Sequence, residues 1–291
     1  MKPSPFAYSA PESLDEALAV LADVGGDGKV LAGGQSLLPI LNMRLAAPAH
    51  VVDINRVGGL SYVTVEGDAV RVGALARHAE VEHDQAAYAA LPLLRQALRL
   101  VAHPVIRNRG TTVGSLVHAD PSGEMTAVLA LTGGTVTAAR VGSTREIAAV
   151  DFFLGPLESC LEAGELAVSS RFPLLPERSG STFVEVARRH GDYAVCGVAA
   201  VVTLDAAGSV VSARAAYISV APTPLVLDLT EAVSGLALGD IRDVHWASAG
   251  ELAATQVDPE ADIHATAAYR RHLARVLTGR ALAEAAGRAA A

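Results

Sequence analysis

The sequence predicts an α+β fold in two domains, the first of them built in two parts. Three observations carry this. Residues 13–54 alternate helix, strand, glycine turn, helix and strand, the pattern of a small α/β unit. Residues 62–172 open on a tight hairpin and then mix helical and strand-like runs. A Pro-rich break follows, and beyond it three strand-like apolar runs precede a helical end. The domains read as 1–176, comprising a small α/β subdomain at 1–57 and a mixed α+β subdomain at 58–176, and then 177–291, a three-stranded antiparallel sheet with helices.

Each element has a local reason. Ser13-Leu14-Asp15-Glu16 is a capping-box pattern; Leu14, Ala17, Leu18 and Leu21 then fall at helical spacing, and Gly25-Gly26 stops the helix. A strand at 29–32, a helix at 37–44 and a strand at 50–54 complete the first unit. Runs 62–66 and 69–73 flank Gly67-Asp68, a two-residue hairpin turn. Helices are expected at 91–102 and 124–132, and strands at 135–140, 145–149 and 165–172. Pro173, Pro176 and Glu177-Arg178-Ser179-Gly180 read as a linker. Strands at 182–190, 194–204 and 209–220 follow, the last two joined by Asp205-Ala206-Ala207-Gly208, and the stretch 262–289 reads as a closing helix.

Composition excludes several function classes. A net charge of -8 with no Lys/Arg stripe argues against nucleic-acid binding, which needs clustered cations against phosphates. No apolar run approaches the roughly 20 residues that span a bilayer, and no signal-peptide pattern opens the chain, so a cytoplasmic protein without membrane insertion is expected. Cys160 and Cys196 are only two thiols, expected reduced, with Cys196 in a strand core. His78 and His83 lie five apart, about 140° around a helix, so they diverge and read as a solvated face, not a metal site. No nucleophile elbow, zinc-protease, Walker or Rossmann motif is present.

Two stretches carry chemistry. Ala32-Gly33-Gly34-Gln35-Ser36 follows a strand and precedes a helix; adjacent glycines permit positive φ and close approach, Ser36 can cap the helix, and the amides can face a phosphate. Residues 106–125, IRNRGTTVGSLVHADPSGEM, pack glycines, hydroxyls, two arginines and an acid-Pro turn into twenty positions. Together they resemble the FAD-binding subunits of the molybdenum hydroxylases, of the carbon monoxide dehydrogenase and nicotine dehydrogenase type. The resemblance covers essentially the whole chain, including KPSPFAYSAPESLDEAL at its start, HVVDINRV at 50–57 and RRHGDYAVCGVA at 188–199.

That resemblance implies that 1–176 is a two-part FAD-binding domain and 177–291 a C-terminal flavin-subunit domain. It implies FAD contacts from Ala32, Gly33, Gly34, Gln35 and Ser36 at the pyrophosphate, from Gly110, Thr111, Gly114 and Ser115 in the second loop, and from Asp120 and Glu124 near the ribityl chain. Asp120-Pro121 is otherwise a plain turn. Tyr193 is expected either to shield a flavin face or to be a core or interface tyrosine; Arg188 and Arg189 either meet acids on a partner or are solvated. His103 and His118 either touch the cofactor or satisfy local carbonyls. Where relatives carry two successive glycines this chain has Val113-Gly114, so position 113 is expected to be extended or the loop shifted.

The implied activity is electron transfer in an oxidoreductase complex, with no catalytic side chain and no metal ligand on this chain. The [2Fe-2S] clusters must sit on a partner, because each needs about four thiolates and only two cysteines exist here; the resemblance implies that molybdopterin sits on a partner too. A small iron-sulfur subunit and a large molybdopterin subunit are implied, as a heterohexamer of two trimers. Two alternatives stay open, a self-sufficient flavin oxidoreductase and a flavin-free scaffold. The substrate and the acceptor are not readable.

Overall fold

A computed structural model describes residues 2–237, 239 and 243–291. The small unit comprises β1 (Ala7–Ser9), α1 (Leu14–Val24), β2 (Gly28–Leu31), α2 (Leu37–Asn42) and β3 (His50–Asp53), with a parallel sheet in the order β1-β3-β2. Helix α1 starts where the capping-box pattern placed it: the Ser13 hydroxyl accepts from the Glu16 N–H, and the Glu16 carboxylate reaches back to the Glu12 N–H. Its buried stripe, Ala17, Leu18 and Leu21, joins the main core.

The second unit is a five-stranded antiparallel sheet, β4-β5-β10-β6-β7, built from β4 (Val63–Glu66), β5 (Ala69–Gly73), β6 (Thr135–Arg140), β7 (Ser143–Ala148) and β10 (Leu166–Pro173). Gly67 supplies the positive φ of the first hairpin. Between β5 and β6 run six helices, α3 (His78–His83), α4 (Gln85–Ala90), α5 (Pro92–Leu98), α6 (Pro104–Arg107), α7 (Thr112–His118) and α8 (Glu124–Thr132). After β7 come α9 (Ala149–Phe152) and a small hairpin, β8 (Phe153–Gly155) with β9 (Glu158–Ser159).

The last unit is a four-stranded antiparallel sheet, not three: β11 (Ser179–Ala187), β12 (Ala194–Leu204), β13 (Val210–Ile218) and β14 (Leu225–Asp228). Strand β14 is only four residues long and follows Pro222 and Pro224, which hid it from pattern reading. Alternate residues of β12 enter different cores: Val198, Ala200 and Val202 pack under α10 (Asp243–Gln256) and α11 (Ala267–Ala289), whereas Ala199 and Val201 face the core of the first two units. A strand covered on both sides reads as one unbroken apolar run. Cys196 lies buried in it, and both cysteines are free.

Two expectations change here. Ser179 and Gly180 are not linker but the start of β11, and a Cβ on Gly180 would collide with the backbone of α11 at Ala285 and Ala289. The glycine lets helix and strand touch. Likewise α3 is not a solvated face: His78, Val81 and Glu82 are buried, while His83 points to solvent. The two histidines do diverge, and no group of three or more metal-ligating side chains occurs among the described residues. No helix among them is long and apolar enough to cross a membrane.

Candidate functional site

Residues 32–36 leave β2 in a tight bend. Gly34 takes φ +73°, and its added Cβ would press on the Leu31 and Leu38 side chains at 3.0 and 3.1 Å. Gly33 is needed for a different reason, since a Cβ there would lie 2.7 Å from the Gly110 Cα and 3.0 Å from the Thr111 amide nitrogen. The two bends, far apart in sequence, therefore meet backbone to backbone. Close approach at Gly33 serves the second bend directly, an outcome the GG pattern alone did not specify. Among the described residues, no backbone hydrogen bond takes the N–H of Gly33, Gly34, Gln35 or Ser36 as donor. The Gln35 amide turns back to the Gly33 carbonyl at 3.2 Å. Ser36, expected to cap α2, is itself α-helical and makes no side-chain cap bond. Its hydroxyl and these amides are candidate ligand contacts.

The second segment is more helical than a loop. Gly110 packs on the His78 ring and accepts the His78 N–H through its carbonyl at 2.8 Å. Thr111 caps α7, its Oγ1 accepting from the Gly114 N–H at 3.1 Å, and any side chain at 114 would crowd that oxygen. Val113 is not extended. It sits in the first turn of α7 with its side chain in the core, a conformation open to β-branched residues. Ser115 follows in the same helix, half-buried.

Helix α7 ends at Ala119 in the left-handed region, and the Asp120 turn begins. Asp120 Oδ1 accepts from the Ser122 N–H at 2.8 Å and its carbonyl from the Gly123 N–H at 2.9 Å, so it is a turn-former as well as a candidate contact. His118 Nε2 lies 3.8 Å from its other oxygen. The turn is anchored on the C-terminal domain by Ser219, which donates its N–H to the Pro121 carbonyl and its hydroxyl to the Ala194 carbonyl, and whose Oγ lies 2.8 Å from Ser122 Oγ. Ser219 holds φ +64°, and the Arg270 guanidinium grips its carbonyl at 2.7 Å. His103 meets His190 edge to face, 6.0 Å between centroids, beneath the segment that presents Tyr193.

This end of the site is acidic. Burial first, then the charge of Glu185, pushes the Glu124 carboxyl up to about 8; burial pushes Glu185 itself up to about 7, with one of its oxygens lacking any partner. Partial burial of the phenol, then the charges of Asp120 and Glu124, raise the Tyr193 pKa, although the residue is 70% exposed. In the folded chain Glu124 keeps its proton up to about pH 8, whereas an unfolded glutamate releases it near 4.5. Stability therefore falls as pH rises between these values and levels off above the higher one. Glu124→Gln is expected to reduce that slope and to stabilise the chain by on the order of 4 kcal/mol at alkaline pH. Urea melts on either side of the window check this; parallel curves for the two proteins would mean that Glu124 is charged in the fold.

The sequence-predicted residues thus form two groups, at opposite ends of α7. Ala32 to Ser36 meet Gly110 and Thr111 at one end, with Gly114 and Ser115 beginning the helix; Asp120, Glu124 and Tyr193 gather at the other, about 10 Å away along seven helical residues. Glycines, free amides and hydroxyls at one end fit a diphosphate, while the acidic, tyrosine-flanked end fits polyol hydroxyls and a flat ring. Sequence reasoning missed Asn55 and Arg77, which tie the bends together, and Glu185 and Ser219. Asn55 lies in the segment 50–57; the other three carry no local signal.

These features define a flavin-binding subunit, and the chain belongs to the family of FAD-binding subunits of molybdopterin dehydrogenases. Residues 4–175 match the FAD binding domain in molybdopterin dehydrogenase, and residues 181–285 match the CO dehydrogenase flavoprotein C-terminal domain. The chain is 40% identical over 292 residues to the 6-hydroxypseudooxynicotine dehydrogenase complex subunit alpha of Paenarthrobacter nicotinovorans, covering 99% of this chain and 97% of that one. It is 38% identical over 291 residues to the caffeine dehydrogenase subunit beta of Pseudomonas sp. (strain CBB1), covering 99% and 97%. A chain in the structure of the carbon monoxide dehydrogenase of Hydrogenophaga pseudoflava superposes with a TM-score of 0.92 at 34% identity, over 99% of both chains. The chain is accordingly the flavoprotein component of a molybdenum-containing oxidoreductase.

Proposed function

We propose that this subunit relays electrons from a partner's iron-sulfur clusters through FAD to an external acceptor. The backbone contact of Gly33 with Gly110 and Thr111 supports this most directly, because it brings both glycine bends to one crevice. FAD supplies the ability to take electrons singly and release them in pairs. In this reading the chain's residues only bind and orient. The amides of Ala32 to Ser36 and the Ser36 hydroxyl hold the diphosphate; Gly110, Thr111, Gly114 and Ser115 complete the cradle. Asp120 and Glu124 face the ribityl region, and Tyr193 covers a ring face. Residues 1–176 form the FAD-binding domain, and 177–291 brace it. Two free cysteines are too few for a cluster, in keeping with clusters on a small partner; molybdopterin, in this reading, sits on a large one. Assembly as two such trimers in the cytoplasm completes the proposal. The relatives act on unlike compounds, in keeping with substrate recognition on another chain.

The test is flavin depletion of the assembled complex. Substrate should still reduce the clusters, seen by electron paramagnetic resonance, while delivery to the acceptor stops until FAD is returned. Undiminished delivery without FAD would refute the relay. Gly34→Val places a β-branched side chain at positive φ against Leu31 and Leu38, and is expected to cut FAD content about tenfold through strain in the bend. Unchanged flavin absorbance per subunit would remove the first bend from the site.

A further inference from the structure

Asn55 and Arg77 form a bridge that joins the two glycine bends by side chains. Asn55 donates through Nδ2 to the Ala32 carbonyl at 2.8 Å and to Asp53 Oδ1 at 2.6 Å, while its own Oδ1 accepts from Arg77 at 2.6 Å. The other arm of the Arg77 guanidinium donates to the Arg109 carbonyl at 2.8 Å. One planar side chain therefore holds the second bend directly and the first through a single amide. The Arg77 backbone faces Thr111 in an isolated bridge, and its N–H is taken by the Glu80 carboxylate at 2.7 Å, so the stem of the side chain is fixed at its root.

The geometry also explains why the residue is arginine. The two acceptors lie in different directions, one a main-chain carbonyl and the other a side-chain amide, and a guanidinium fork satisfies both at once from a planar, preorganised group. An ammonium at this position has the charge but not the fork. The Arg109 carbonyl belongs to the same short stretch that Gly33 packs against. The clamp and the glycine contact thus act on one junction.

We infer that Arg77, through Asn55, is a positioning residue that sets the spacing of the two bends and so governs how long FAD stays bound. This rests on the flavin reading above. The bridge touches no reacting atom, and its loss acts on release of the cofactor, not on electron transfer once the cofactor is seated. Because Asn55 is the middle link of the bridge, removing either residue removes the same coupling between the bends, and the two losses should not add.

The experiment follows FAD release from the purified complex by flavin fluorescence. Arg77→Lys and Asn55→Ala are each expected to speed release at least tenfold, the scale of one lost charge-assisted hydrogen bond, and the double variant no more than either alone. For Arg77→Ala, guanidinium ion at millimolar concentration is expected to slow release, a response that mere loosening of the fold would not give. Additive losses, wild-type release from the lysine variant, or absence of guanidinium rescue would each overturn the inference. If Arg77 variants keep their FAD while Gly34→Val loses it, the clamp fails and the flavin reading stands. A wild-type complex that carries no flavin fails the reading itself, and the clamp with it.

Discussion

Replacing Arg107 with Leu is expected to cost about 3 to 5 kcal/mol of stability, enough to unfold a large share of the subunit. Arg107 Nε donates to Glu82 Oε2 at 2.7 Å with both side chains about nine-tenths buried, and its other arm holds the carbonyls of Val101 and Ala102. Ala102 sits at φ +44°, so that turn depends on the grip. Glu82 is pinned from the other side as well, because Arg95 donates to its carbonyl at 2.6 Å while stacking on Tyr88. Without Arg107 the Glu82 carboxylate is left in the core unpaired, and the helix that leads into the second bend loses its anchor. Flavin loss should accompany the drop in stability. Adding Glu82→Gln to Arg107→Leu should recover much of the loss, since a neutral amide is far cheaper to bury than an unpaired carboxylate. Urea denaturation of the two single variants and the double checks this; an Arg107→Leu protein within 1 kcal/mol of wild type, a change at the scale of an exposed pair, would show that the pair is solvated.

Gly33→Ala is expected to empty the site while leaving the fold in place. The added methyl meets backbone atoms of Arg109, Gly110 and Thr111, none of which can swing aside as a flexible side chain could. The half-buried bend lies at the edge of the core, so the penalty falls on the spacing of the two bends and not on core packing. FAD content per subunit should fall more than in Gly34→Ala, where the neighbours are leucine side chains able to yield. Flavin absorbance beside far-ultraviolet circular dichroism makes the comparison. Equal occupancy in the two variants would mean that the bends separate without consequence for the cofactor.

Local pattern made several elements legible. Ser13 to Glu16 announced α1 because a cap and its reciprocal carboxylate are neighbours in sequence, and Gly67-Asp68 announced a hairpin because turn chemistry is equally local. Residues 32–36 announced a bend after a strand for the same reason. What failed were judgements that depend on distant partners. Ser179-Gly180 looks like linker until α11, some hundred positions later, packs on it; α3 looks solvated until Arg107 pairs with the Glu82 carboxylate and Arg95 bonds the Glu82 carbonyl. Val113 looked like an obstacle in a loop, and is an ordinary core residue because Thr111 starts a helix there.

The amino-acid order alone determined the α+β class, the family and the identity of the two bends, since those reside in short-range spacing of glycines, hydroxyls and apolar residues. Only the tertiary structure decided that Gly33 packs on Gly110 and Thr111 and that Asn55 and Arg77 clasp both bends. Those are contacts between residues far apart along the chain. They exist because packing of the cores brings their backbones together, and no local propensity encodes which distant carbonyl a guanidinium will find.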